Sequence, residues 1–128
     1  MLEDLSIFRM AGALAAHAEA RQNTIAQNIA NSDTPGYRAR DITPFSEAYR
    51  AQDDGLQLKA PRASHLTPTS GEFHITERVD ENLSPAPNGN SVTIEKEMVK
   101  GAETRHQHDV ALTIYRSALG IMRSSLGR

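Results

Sequence analysis

The sequence predicts a mainly α protein. Long N- and C-terminal amphipathic helices form a coiled-coil or helical-hairpin layer, and an irregular middle contains little β structure. Three observations carry this prediction. Apolar residues recur at 4-3 spacing through both ends of the chain. All but one of the six prolines fall in residues 41–91, where no period is sustained. Of the 25 Leu, Ile, Val and Phe residues, seven lie in 1–29 and nine in 92–126, leaving nine for the 62 between. With its apolar material at the two ends, the 128-residue chain reads as one assembly unit. It has three parts: an N-terminal helix in 1–31, a turn and irregular middle over 32–91, and a C-terminal helix in 92–128.

The first helix follows Ile7, Ala11, Leu14, Ala18, Arg21, Ile25 and Asn28, with Met10 and Ile29 beside them and alanine filling much of the rest. It is expected from about Leu5 to Ala30, roughly 40 Å long at 1.5 Å per residue. Its seam includes Ala11, Ala18, Arg21 and Asn28, residues too small or too polar to bury well in an isolated pair. Such a helix is expected to draw stability from neighbouring subunits. Asn31 is a natural stop. Thr34 precedes a proline and avoids helical backbone, and Pro35-Gly36 suits the centre of a type II turn.

In the middle, "PFSEAYRAQDDG" favours a short helix with Phe45, Ala48 and Tyr49 on one face and Gly55 ending it. "EFHITERV" alternates Phe73, Ile75 and Val79 as a short strand would, and "LSPAPNGNS" is a linker by composition. In the last segment, Ile94, Met98, Gly101, Arg105, His108, Leu112, Tyr115, Leu119, Met122 and Leu126 keep an unbroken 4-3 spacing. Ala111, Ile114, Ala118 and Ile121 widen its second half. Thr93 is placed to cap this helix, and Glu95 and Glu97 complement its positive end. Gly101, Arg105 and His108 interrupt the seam, so the first half is expected to be the weaker one.

Composition removes several function classes. The chain has no cysteine, so disulfides and thiol chemistry are excluded. A net charge of −2 with scattered basic residues offers no field for nucleic acid. "TIAQNIANSDTPGYRAR" does not fit a helix-turn-helix either, because Pro44 follows Pro35 too soon for a recognition helix. "IFRMAGALAAHAEA" has the look of a secretory apolar region, but "MLEDLS" before it is acidic and Arg9 interrupts it, so a cleaved signal peptide is not expected. His106 and His108 stand about 200° apart around a helix and cannot share an ion. No metal or cofactor is expected. The dispersed glycines make no phosphate cradle and no serine sits in a nucleophile elbow, which argues against an enzyme and a small-molecule substrate.

"NTIAQNIANSDTPGY", Asn23 to Tyr37, closely resembles the N-terminal signature of the bacterial flagellar axial proteins, the rod, hook and hook-associated group. The residues that fit are Asn28, Ile29, Ala30, Asn31, Thr34, Pro35, Gly36 and Tyr37. Within that group the short chain, the run "RARDITPF" and the stretch "GNSVTIEKEM" resemble the proximal rod branch. A second short rod branch is the near alternative, and a soluble helical adaptor or secretion chaperone is the alternative of a different class. Where the proximal branch often carries an Arg-Tyr pair, this chain has Arg105-His106.

The resemblance implies a structural subunit that joins the membrane ring and its export-gate adaptor to the rest of the rod. Its partners would be other rod subunits, further copies of itself and the type III export apparatus, and its location the periplasmic part of the basal body. The resemblance also implies termini that can be disordered in the free monomer and order on assembly. Leu14, Ile25 and Ile29 would then form an assembly seam with Ile94, Met98, Leu112, Tyr115, Leu119, Met122 and Leu126. The turn would redirect the chain, with Tyr37 packing back to pin its exit.

Overall fold

The alanine-rich 4-3 pattern near the N-terminus becomes a single helix, α1 (Leu2–Ala30), and the C-terminal pattern becomes α3 (Ile94–Ser125). At 1.5 Å per residue they run about 44 Å and about 48 Å. Between them lie a strand β1 (Arg40–Ile42), a short helix α2 (Phe45–Asp53) and a strand β2 (Glu77–Val79). This computed structural model describes residues 2–53 and 73–127. Gly55, expected to end α2, lies outside them. No described helix is long and apolar enough to cross a membrane.

The two long helices pack as an antiparallel hairpin. Phe8 meets Tyr115 edge-to-face with ring centroids 5.1 Å apart, Ile25 lies against Gly101, and Asn28 bonds Glu97. On α1 the buried positions Ala11, Ala18, Ile25 and Asn28 fall on the expected 4-3 seam. On α3 the buried positions are Glu97, Thr104, Ala111 and Ala118, one heptad apart. Ala111 and Ala118 belong to the stripe expected to widen the apolar face, whereas Glu97 and Thr104 lie outside the expected seam. Of its large members, Ile94, Met98, Leu112, Tyr115 and Leu126 are exposed, Met98 to 65% and Leu126 to 72%. Small side chains at Thr104, Ala111 and Ala118 let the two helices approach along their length, and the bulky stripe runs along the edge of that contact, where Tyr115 still reaches Phe8.

The start of α3 also differs from expectation. Thr93 has extended backbone (φ −115°, ψ 111°), but its side chain makes no capping bond. Glu97 is fully buried and serves a tertiary contact in addition to complementing the helix dipole.

β1 and β2 form a two-stranded antiparallel ladder, Arg40 opposite Val79, Asp41 opposite Arg78 and Ile42 opposite Glu77. Strand structure in "EFHITERV" is therefore confined to its last part. Phe73 instead joins an aromatic cluster with Phe45 (5.5 Å) and His17 (6.2 Å), while Phe45 also stacks near Tyr49 (5.3 Å) and His17 (5.7 Å). That cluster seats α2 and the segment before β2 against the middle of α1.

Candidate functional site

The last three turns of α1 carry a polar stripe, His17, Arg21, Thr24 and Asn28, at 4-3-4 spacing, so all four face one way. Each reaches the β layer. His17 Nε2 donates to the Thr43 carbonyl at 2.7 Å, and Arg21 grips Asp41 with Nε–Oδ1 at 3.0 Å and Nη2–Oδ2 at 3.2 Å. The Thr24 hydroxyl lies 3.2 Å from Glu77 Oε1, and Asn28 Nδ2 donates to the Arg40 carbonyl at 2.7 Å. Arg21 and Asn28, too polar to bury well in an isolated helix pair, are satisfied by the chain's own β1. A buried polar group is tolerable when its hydrogen bonds are filled.

Asn28 is the hub. It has no exposed surface, and all of its bonding capacity is used. Besides the Arg40 carbonyl, Nδ2 donates to Glu97 Oε2 at 2.9 Å. Oδ1 accepts from the Arg40 N–H at 3.0 Å and from the Tyr37 hydroxyl at 3.3 Å. One side chain thus joins α1, the turn after it, β1 and α3.

Charges close the network. Lys100 Nζ lies 3.1 Å from Asp80 Oδ2, 3.3 Å from Asp41 Oδ2 and 3.3 Å from Glu97 Oε1. Burial by itself would raise the Asp41 pKa, but the Arg21 hydrogen bonds, the Ile42 N–H and the Arg21 and Lys100 charges outweigh it and hold the carboxyl below its usual 3.8. Burial would likewise lower the Lys100 pKa, but Asp80, Asp41 and Glu97 together hold it above its usual 10.5. Gly101 and its neighbours interrupt the apolar pattern, yet this first half of α3 carries the polar bonds to the rest of the fold. The expectation that it would be the weaker half is not matched by the distribution of contacts.

The turn itself is built from two distant stretches. The Tyr37 N–H donates to the Thr34 carbonyl at 3.2 Å across Pro35 and Gly36, and Gly36 has φ +75°, as a type II turn requires. Residues 36–39 then run beside 88–91. Gly36 N–H donates to the Asn88 carbonyl, Ser91 N–H to the Tyr37 carbonyl, and Ala39 N–H to Ser91 Oγ. Gly89 has φ +81°, and a Cβ on it would lie 3.2 Å from Gly36 Cα. Glycine is therefore needed twice over at Gly89, for its backbone and for the space.

Asn90 points its amide into the end of α1, 2.9, 2.8 and 2.9 Å from the carbonyls of Asn31, Ser32 and Thr34. The Asn31 and Thr34 carbonyls also accept backbone N–H groups within the turn, so Asn90 supplies a second donor to these two and a donor to the Ser32 carbonyl. Among the described residues no group of three or more His, Cys, Asp or Glu is placed to hold a metal ion.

A profile of the family described as "Flagella basal body rod protein" matches residues 11–38, which are the buried part of α1 and the turn. The flagellar basal body rod protein FlgB of Agrobacterium fabrum is 28% identical over 99% of this chain and 97% of its own length. FlgB of Salmonella typhimurium is 32% identical over 83% of this chain and 82% of its own, and that of Escherichia coli 33% over 73% and 72%. The chain belongs to the FlgB family of flagellar basal body rod proteins.

In this FlgB-family chain the signature residues divide by position. Asn28 is buried, Asn31 and Tyr37 are half-buried, and Ile29, Ala30, Thr34, Pro35 and Gly36 are exposed. Asn31 Nδ2 donates to the Gln27 carbonyl at 2.8 Å, and the Thr34 hydroxyl reaches Asn31 Oδ1 at 3.3 Å. Leu14, Leu119 and Met122 are half-buried and Ile25 is buried, so the assembly-seam residues are split between the hairpin and its open flank. Sequence reasoning passed over His17, Asp41, Asp80, Asn90, Ser91 and Lys100. The polar 4-3-4 stripe on α1 was the signal that could have found the first part of this network. Nothing local announces Asp80 or Asn90, whose partners are far along the chain.

Proposed function

We propose that this protein is a structural subunit of the proximal flagellar rod, assembling through its terminal helices. The observation that carries the reading is family membership over most of the chain, supported by the apolar flank of α3. Ile94, Met98, Leu112, Tyr115 and Leu126, which share one side of α3 through their 4-3 spacing, are all exposed. A flank of this kind, beside a hairpin already closed on its own small-residue face, suits packing against other helices. The assembly seam is assigned to Ile94, Met98, Leu112, Tyr115, Leu119, Met122 and Leu126 on α3, with Leu14, Ile25 and Ile29 on α1.

The signature residues Asn28 to Asn31 and Thr34 to Tyr37 act as a joint. They stop α1 and aim the chain into the β layer, while the three parts 1–31, 32–91 and 92–128 behave as one unit. Neighbouring copies, other rod subunits and the membrane-ring and export-gate adaptor proteins are the partners, and the type III apparatus is the export route. No catalytic step is assigned to the chain.

Locating the protein tests this. After detergent extraction it should co-purify with basal bodies and sediment with the rod. Recovery solely as a soluble complex with a second protein would favour a helical adaptor instead.

A further inference from the structure

Asn88 and Gly89 form the only Asn-Gly pair in the chain. Such a pair is chemically weak, because glycine has no Cβ to hinder its nitrogen from reaching the neighbouring side-chain amide. The deprotonated Gly89 nitrogen attacks Asn88 Cγ and a C–N bond forms. The Cγ–Nδ2 bond breaks, and the amide nitrogen takes up the proton and leaves as ammonia. Water then opens the cyclic imide. Attack at Cγ gives aspartate; attack at the backbone carbonyl gives isoaspartate, in which the main chain runs through Cγ and is one carbon longer.

The fold uses both residues of the pair. Gly89 is fixed by its φ of +81° and by the close approach of Gly36. Asn88 Oδ1 accepts from the Asn90 N–H at 3.0 Å, and the Asn88 carbonyl accepts from the Gly36 N–H at 3.0 Å. Burial does not protect the pair, since Asn88 is exposed. Its protection is geometric. The Gly89 N–H donates to the Ala86 carbonyl at 2.8 Å, closing a turn with Pro87 and Asn88 at its centre. Asn88 does not have positive φ, so the turn is type I and its ψ lies at about 0°. There the Gly89 nitrogen sits beside Asn88's own nitrogen, roughly 120° of rotation from the side facing Cβ where the ring would close. Turning it would break the bonds to Ala86 and Gly36.

We propose that Asn88 is a deamidation site gated by the joint. While 36–39 and 88–91 stay paired, imide formation is blocked. When they part, the pair reacts. Isoaspartate at this position removes the backbone carbonyl that the Gly36 N–H uses and shifts Ser91 out of register with Tyr37. Time spent open is thereby recorded in the chain as a lost ability to close. This inference concerns the fold alone and does not depend on the rod reading.

The test is site-resolved mass spectrometry of the full-length chain held at mildly alkaline pH, in buffer and through a urea series. Conversion at Asn88 should be at least about ten-fold faster in the unfolded chain than in buffer, the factor that about 1.4 kcal/mol of opening represents. Between these limits it should track the unfolded fraction read by circular dichroism. In urea Asn88 should convert ahead of Asn23, Asn28, Asn31, Asn82 and Asn90. Equal rates in buffer and urea would overturn the gate. An Asn88 that reacts no faster than the other asparagines in urea would overturn the site. The isoaspartyl product, returned to buffer, should lack slow hydrogen exchange at the Gly36 and Ser91 amides, whereas Asn88→Asp, which copies the other product, should keep it. An isoaspartyl chain protected at both amides would overturn the claim that the modification holds the joint open. So would loss of that protection in Asn88→Asp, which would assign the effect to charge and not to the longer main chain. The rate comparison needs no variant.

Discussion

Removing the hub side chain is the most direct test of the joint. Asn28→Ala deletes four hydrogen bonds, to the Arg40 N–H and carbonyl, the Tyr37 hydroxyl and Glu97 Oε2. Their costs differ with access to water. The Tyr37 hydroxyl belongs to a half-buried residue and can turn outward, so it contributes little. Glu97 has no exposed surface and keeps only Lys100 Nζ as a side-chain partner, and the Arg40 N–H is left beneath α1. Two stranded groups at about 1–3 kcal/mol each give a loss of about 2–6 kcal/mol. That is a large part of the roughly 5–15 kcal/mol that stabilises an ordinary domain.

Urea denaturation followed by circular dichroism measures the loss. With a slope of about 2 kcal/mol/M, the midpoint should fall by about 1–3 M at unchanged slope. Asn28→Asp is the companion variant, because it keeps the shape but sets a second carboxylate against Glu97. At neutral pH it should cost at least as much, and acid should relieve part of that cost by protonating the new carboxyl. A midpoint within about 0.3 M of the parent for both variants, well below the shift that the slope implies, would refute the view that this residue holds the joint.

Gly89→Ala should cost about 1–3 kcal/mol from strained backbone and the close approach to Gly36, and Gly36→Val a similar amount from its positive φ alone, both read from denaturation midpoints. Stability should be flat at moderate pH and fall at both extremes. The contribution of Asp41 is fully present above 3.8 and is lost as pH drops through its lowered folded value; that of Lys100 is present below 10.5 and is lost as pH rises through its raised one. Arg21→Met should move the acid limb to higher pH and cost about 1–2 kcal/mol, checked by repeating the pH series. Met98→Asp and Leu126→Asp lie on the exposed flank and should change monomer stability by less than about 0.5 kcal/mol while abolishing incorporation into basal bodies; incorporation at the parent level would remove that flank from the interface.

Much of this architecture is legible from local pattern. The 4-3 spacing of Ile7 to Asn28 marks α1 and its buried face, because helix periodicity is a property of neighbouring residues alone. Pro35 and Gly36 announce their turn for the same reason, since backbone sterics act within three or four residues. On α3 the periodicity found the helix but did not say which part of its broad apolar face meets α1. Bulk and apolarity pointed to Met98 and Leu126, whereas α1 packs on Thr104, Ala111 and Ala118. A single chain's hydrophobic pattern does not say whether a stripe is buried against its own fold or against another molecule.

The sequence by itself determined the two long helices, the turn between α1 and the β layer, and the family resemblance carried by that turn. Only the tertiary structure decided why Asn28, Arg21 and Glu97 can be polar and sheltered at once. Their partners are Arg40, Asp41 and Lys100, and Asn90 caps a helix that ended 60 residues earlier. Satisfaction of a buried polar group is a relation between segments brought together by folding, and so it leaves no period along the chain for a reader of the sequence to find.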